Sequence, residues 1–201
     1  ELDNYFSESN ISNYQSKIND MIEEYELFPK KLYVPRDDFM ADKNGVASMK
    51  AAVYDISYQT AYKMYGQPLP KYVQERLDRE LDAIIGHGYF SVYYISHLLV
   101  KNSNDAGYIV GSRGSVGSSF VATMMGITEV NPLRPHYICP ACHYSDFDSD
   151  DVKAYAGMAG CDMPDMRCPK CGAMMSKQGF DIPFETFLGF KGDKEPDIDL
   201  N

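Results

Sequence analysis

Long hydrophobic runs are missing from this sequence. No window approaches the ~18 consecutive apolar residues of a membrane-spanning helix, which excludes one on this reading. No charged n-region leading into an apolar h-region follows Glu1, so no secretory signal peptide is read there. Positive charge is short: 19 Lys and Arg stand against 29 Asp and Glu, for a net charge of −10 and a pI near 4.8. Taken alone, that balance speaks against nucleic-acid binding, although a local site can oppose the global sign. Internal repeats and low-complexity tracts are absent. Tryptophan is absent and histidine occurs four times.

What is present suits a packed chain. The 44% hydrophobic content argues against disorder. A length of 201 residues holds one ordinary domain, or one domain and a piece of another. A start without Met and a stop at Asn201 on a strand-like run read as a chain cut at both ends. Within residues 1–30, Ile11, Ile18, Met21, Ile22 and Tyr25 are spaced as one helical face, with Pro29 ending the helix. Residues 31–46 read as a linker or extended entry segment. Residues 47–65 form a helix on Met49, Val53, Ile56, Ala61 and Met64, closed by Gly66 and Pro68. Pro70 suits a first helical position, and Val73, Leu77, Leu81, Ile84 and Ile85 carry the next stripe until Gly86 and Gly88. Residues 91–104 read as a third helix through Val92, Ile95, Leu98 and Leu99, with a strand as the alternative because Tyr and Val favour it. Tyr108–Val110 is strand-like, and residues 118–125 are helical. The mixture is α+β.

Five cysteines without an export signal point to metal or thiol chemistry rather than disulfides. Cys139-Pro-Ala-Cys142 and Cys168-Pro-Lys-Cys171-Gly172 are two CxxC knuckles. Two intervening residues let both sulfurs of a knuckle reach one ion, and two knuckles complete a tetrahedral four-thiolate Zn²⁺ site, closed and therefore structural. The 25 residues 143–167 between them exceed the ~15–20 of a common ribbon, so this connector is expected to loop out. The bland alternative is two disulfides or four inert thiols. Three cysteines plus His143 is a second ligand set, with His136 also near. Cys161 fits neither knuckle and reads as a buried or idle thiol.

Gly111-Ser112-Arg113-Gly114-Ser115-Val116-Gly117-Ser118-Ser119 runs from a strand-like segment into a helix. Glycines let backbone approach an anion, and hydroxyls and free helix amides can donate to phosphate oxygens. Arg113 adds a forked cation. The loop lacks the Gly-Lys-Ser/Thr of a Walker A motif, and alone it could be a flexible turn with a capping serine. The chain ends Pro196-Asp197-Ile198-Asp199-Leu200-Asn201. In a strand, Asp197 and Asp199 share one face while Ile198 and Leu200 enter the core. Convergent carboxylates repel unless a cation sits between them, which suggests Mg²⁺. A solvated strand face is the bland reading. Loop and carboxylates together suggest two-metal phosphoryl or nucleotidyl transfer.

These pieces, in this order, resemble PolC-type DNA polymerase III, the C-family replicase of low-GC Gram-positive bacteria. The resemblance is carried by the run Gly107 to Ala122, by Ile127-Thr128-Glu129-Val130-Asn131-Pro132-Leu133, by the two knuckles, and by Asp181-Ile182-Pro183-Phe184-Glu185-Thr186-Phe187-Leu188-Gly189-Phe190 running into Asp197 and Asp199. Met64-Tyr65-Gly66 with Pro68-Leu69-Pro70 adds to it, and the match covers roughly residues 30–201. It implies a partial polymerase-β-like nucleotidyltransferase palm over residues 31–201, with a zinc-binding insertion at 137–175. Residues 1–30 would end a preceding PHP domain or link to it. It implies Gly111, Ser112, Arg113, Gly114, Ser115, Gly117 and Ser118 as the triphosphate loop, and Asp197 and Asp199 as two of three catalytic carboxylates on Mg²⁺. Cys139, Cys142, Cys168 and Cys171 would hold structural Zn²⁺. Primer-template DNA and dNTP are the implied substrates. The sliding clamp and other replisome subunits would bind through parts outside this chain, in the cytoplasm at the nucleoid, with no membrane partner. Arg134 stands where the family has Pro, and the third carboxylate lies beyond Asn201, so this chain alone is expected to be inactive. The alternatives are a non-enzymatic zinc-ribbon module that binds protein or nucleic acid, and a small nucleotidyltransferase acting on another substrate.

Overall fold

A computed structural model describes residues 7–22, 35–39, 45–190 and 194–201. The chain divides into two units, Glu1–Tyr33 and Val34–Asn201. The first unit contains helix α1, Glu8–Asp20. Ser7 caps it by accepting the Asn10 amide, and Glu8 and Lys17 sit at the ends that the helix dipole favours. Its apolar stripe has formed, but Ile11, Ile18, Met21 and Ile22 are all exposed. The helix ends at Asp20, well before Pro29; Pro29 and Tyr25 lie outside the described residues.

The second unit is built on three helices: α2 (Met49–Tyr65), α3 (Lys71–Gly86) and α4 (Phe90–Asp105). Ser48 caps α2, and Asp37 accepts both the Ser48 hydroxyl (2.7 Å) and the Lys50 amide (2.9 Å). Pro70 is the residue before α3, and its carbonyl accepts the Gln74 amide. α3 buries Val73, Leu77, Leu81 and Ile84, each side chain contributing about 1.5–3 kcal/mol of transfer free energy.

The third helix keeps its expected bounds within a residue or two but not its expected face. It buries Ser91, Tyr93, Tyr94, Ser96 and Val100, while Leu99 is exposed. Ser57 of α2 is buried as well. The tyrosines bring large apolar rings with a polar tip that can be satisfied inside.

After α4 the chain enters β1 (Ser112–Arg113), a 3₁₀ turn over Gly114–Ser118, and the short helix α5 (Phe120–Met124). Tyr108–Val110 is not a strand, and Tyr108 and Ile109 are largely exposed. A strand needs a ladder partner, and among the described residues the strand that pairs here reaches Gly111–Arg113 and no further back. Phe120, Val121 and Ala122 enter the main core with Leu133, Phe187 and Leu188.

The cysteine region holds a three-stranded antiparallel sheet ordered β3–β2–β4, with β2 at His136–Ile138, β3 at Ser145–Asp146 and β4 at Ser176–Gln178. The connector expected to loop out is folded. It carries β3, helix α6 (Asp150–Lys153) and a 3₁₀ turn at Gly160–Asp162. Val152 and Met163 join Tyr137 and Met175 in a second small core, so burial of apolar side chains, not spacing, sets this connector's path. Helix α7 (Glu185–Leu188) and β5 (Asp199–Leu200) complete the unit.

Candidate active site and metal centre

The two knuckles have the same backbone. Cys139 N–H donates to the Tyr144 carbonyl (2.8 Å) and His143 N–H to the Cys139 carbonyl (2.9 Å). Cys168 N–H donates to Ala173 (2.8 Å) and Gly172 N–H to Cys168 (2.8 Å). The residue after the second cysteine is left-handed in both, at φ 59 for His143 and φ 77 for Gly172. Glycine takes that conformation without strain, and histidine is among the few side chains that tolerate it.

The knuckles meet face to face. The sulfurs of Cys139, Cys142, Cys168 and Cys171 all lie within 4.8 Å of one another. Cys139–Cys171 at 3.4 Å and Cys142–Cys168 at 3.5 Å run between the knuckles. All four are free thiols, which removes the disulfide alternative. His143 is not among the clustered groups; its Nδ1 lies 3.3 Å from the Met64 carbonyl. Cys161 is exposed and outside the cluster, not buried.

The cluster's electrostatics ask for a cation. Burial pushes the Cys139 thiol up, but the Cys142 and Ala141 amides and the neighbouring Cys171 and Cys142 thiols outweigh this and bring it down to about 6. The Ala173 amide draws Cys171 down, yet the crowded sulfurs of Cys139, Cys142 and Cys168 push it up to about 12. One thiolate is thus easy to form and further ones are not, so four thiolates in this space require a positive ion. Four converging soft donors in pairs fit Zn²⁺.

The Gly/Ser loop and the aspartate strand, distant in sequence, are neighbours in space. β1 pairs antiparallel with β5, Ser112 opposite Leu200 and Arg113 opposite Asp199. Gly111 and Asn201 exchange backbone hydrogen bonds of 3.0 and 2.9 Å. Arg113 Nε lies 3.9 Å from Asp199 Oδ2. Both side chains are exposed, so this ion pair adds little stability. Gly114 turns at φ 82, and a Cβ there would stand 3.8 Å from the same carboxylate oxygen. Asp197 and Asp199 are exposed, while Ile198 and Leu200 are half-buried against the main core.

Not every loop residue faces outward. Arg113 and Gly114 are exposed, and Gly111, Ser112 and Ser115 are half-buried. Gly117 and Ser118 are buried beneath them, and the Ser118 hydroxyl donates back to the Ser115 carbonyl (2.7 Å). Ser112 Oγ donates to Thr128 Oγ1 (2.6 Å). The first amides of α5 are not open to phosphate: Val121 N–H donates to Glu80 Oε2 (3.0 Å) and Ala122 N–H to Ser119 Oγ (3.2 Å). An anion at this loop would therefore meet Arg113 and the Gly114–Ser115 backbone rather than the helix end.

Beneath the loop lies a set of residues that the apolar stripe of α3 did not bring out. Arg76 and Glu80 pair within that helix. Arg76 Nη2 donates to the carbonyls of Ser118 (2.8 Å) and Ile182 (3.1 Å). Glu80 Oε2 accepts the Ser119 hydroxyl (3.0 Å) as well as the Val121 amide. The signal was available: positions 73, 76, 77, 80, 81 and 84 make one continuous helical face, so two of its six members are charged.

A family model described as the bacterial DNA polymerase III alpha NTPase domain matches residues 51–201. The DNA polymerase III PolC-type protein of Halalkalibacterium halodurans is 56% identical over 184 residues, covering 92% of this chain and 12% of the relative. That of Caldanaerobacter subterraneus subsp. tengcongensis is 52% identical over 188 residues, again 92% of this chain and 12% of the relative. That of Streptococcus pyogenes serotype M3 is 50% identical over 182 residues, 90% of this chain and 12% of the relative. The chain thus spans about 12% of the length of the curated relatives it matches. With a family match over three quarters of its residues and this identity to PolC-type proteins, the chain belongs to the bacterial DNA polymerase III alpha family.

Proposed function

We propose that the full-length protein carries out template-directed DNA synthesis, transferring a nucleotidyl group from dNTP to a primer 3′-hydroxyl, and that this chain supplies part of the site. Residues 31–201 are read as the N-terminal part of a polymerase-β-like palm with a zinc-binding insertion at 137–175, and residues 1–30 as the end of a preceding PHP domain. The observation that carries the reading is the β1–β5 pairing, which sets Arg113 and Gly114 against Asp199. A binding module would not need that juxtaposition.

Asp197 and Asp199 offer the hard oxygen donors that Mg²⁺ takes, from exposed alternate positions of one segment. Mg²⁺ held there would supply charge neutralisation at the α-phosphate and leaving pyrophosphate and activation of the primer hydroxyl. The chain's own residues do the rest. Arg113 and the Gly114–Ser115 backbone steady the triphosphate charge without rearranging. The half-buried Ile198 and Leu200 anchor the carboxylates by holding the Asp197–Leu200 segment, of which Asp199–Leu200 is strand, to the core. The third carboxylate would come from downstream of Asn201. Cys139, Cys142, Cys168 and Cys171 hold Zn²⁺ in a closed structural site. Primer-template DNA is the partner at the site; clamp and replisome contacts belong to other parts of the protein, in the cytoplasm at the nucleoid.

Primer extension by the full-length protein tests the reading. Asp197→Ala and Asp199→Ala should each abolish Mg²⁺-dependent extension while primed-DNA binding stays near wild type. Joint loss of binding and fold would instead mark the aspartates as structural. A folded, zinc-loaded wild type that does not extend primers would favour the zinc-ribbon binding module, a reading to which the separate small core of the cysteine region lends support.

A further inference from the structure

This inference rests on the nucleotide-site reading above. Arg76 is 8% exposed and Glu80 0%, within an otherwise apolar helix face. Withdrawing two charges from water is costly, and apolar residues of similar volume usually serve stability as well or better. The pair's bonds, rather than its burial, give it a purpose.

The geometry around the pair fixes the direction of each hydrogen bond at Ser119. A carboxylate can only accept, so Ser119 Oγ donates its proton to Glu80 and accepts the Ala122 amide. The Tyr93 hydroxyl, 2.9 Å from Ser119 Oγ, must then donate to it. Glu80 thereby fixes the turn from the loop into α5. The Arg76 guanidinium joins two chain segments at once. Through the Ser118 carbonyl it holds the base of the Gly/Ser loop, and through the Ile182 carbonyl it holds the segment that leads toward the aspartate strand.

We propose that Arg76 and Glu80 are positioning residues that set where Arg113 and Gly114 stand relative to Asp199, and so govern the affinity for the incoming nucleotide without touching it. A fork of fixed geometry suits this task better than a flexible ammonium. Small misplacements at a reacting centre are expensive.

The test is steady-state nucleotide incorporation by the full-length protein on primed DNA. It compares wild type with Arg76→Lys, Glu80→Gln and the Arg76→Met/Glu80→Met double variant, with Tm and primed-DNA affinity measured alongside. Each single variant should raise the nucleotide KM about tenfold, change kcat less, and leave primed-DNA affinity unchanged. The double variant strands no charge and should recover Tm while keeping the raised KM. A wild-type KM in any folded variant, whatever its Tm, overturns the proposal and reduces the pair to packing. If the double variant does not fold, the KM of Arg76→Lys decides. A wild type that incorporates no nucleotide refutes the site reading itself, and this inference with it.

Discussion

An ideal Cβ on Gly160 would stand 2.1 Å from the Gln178 carbonyl oxygen, and one on Gly179 2.3 Å from that of Arg134. Both contacts are with backbone, which cannot swing aside as a side chain can. Gly160→Ala and Gly179→Ala should each lower stability by about 2 kcal/mol or more, read as a drop in Tm. His136 offers a second test at this scale. Its Nδ1 lies 2.7 Å from the Arg134 carbonyl, which only accepts, so Nδ1 carries the proton. Nε2 then accepts from the Tyr65 hydroxyl (3.0 Å), which in turn accepts from Asn131 (3.0 Å). Burial pulls the imidazole down to about 4 from 6.5. Because the folded value is depressed, the unfolded chain binds the proton first, and stability is lost as pH falls from about 6.5 to 4. The loss is about 3 kcal/mol. Urea unfolding across that window should show a steeper pH dependence for wild type than for His136→Gln; equal slopes would contradict the assignment.

Among the elements, the knuckles were the most legible in sequence, because two residues between cysteines and a left-handed position after the second are local requirements of one turn. The expected helices likewise follow from capping and periodicity. The path of residues 143–167 was not legible, since Val152 and Met163 find Tyr137 and Met175 only once the sheet has formed. The buried face of α4 was hidden for a similar reason: tyrosine is ambiguous between inside and outside until a hydroxyl partner such as Ser119 is in place. The pairing of β1 with β5 is a tertiary event that composition could suggest but not register. Metal removal tests the element-scale account. The protein purified under reducing conditions should hold one zinc per chain, and Cys168→Ser should lower zinc affinity on the order of 100-fold. Affinity should fall as pH drops, because the thiols must shed protons to bind. Absence of metal in reduced, folded protein would refute the cluster's role.

For the molecule as a whole, the acidic balance of −10 and the proposed site for an anionic nucleotide are compatible because the loop's charge is local. Arg113 is exposed at the point where the chain turns, and Mg²⁺ would make the two aspartates part of the proposed binding site. The central claim is that Arg113, Gly114 and Ser115 form one nucleotide site with the Asp197/Asp199 pair. A crystal structure of the full-length protein with primed DNA, dNTP and Mn²⁺ in place of Mg²⁺ tests this most directly, through the anomalous signal of the ion. The account predicts metal peaks about 2.1 Å from Asp197 and Asp199 oxygens, with the triphosphate lying along Arg113, Gly114 and Ser115. Metal and triphosphate bound elsewhere, with the two aspartates facing solvent, would contradict it.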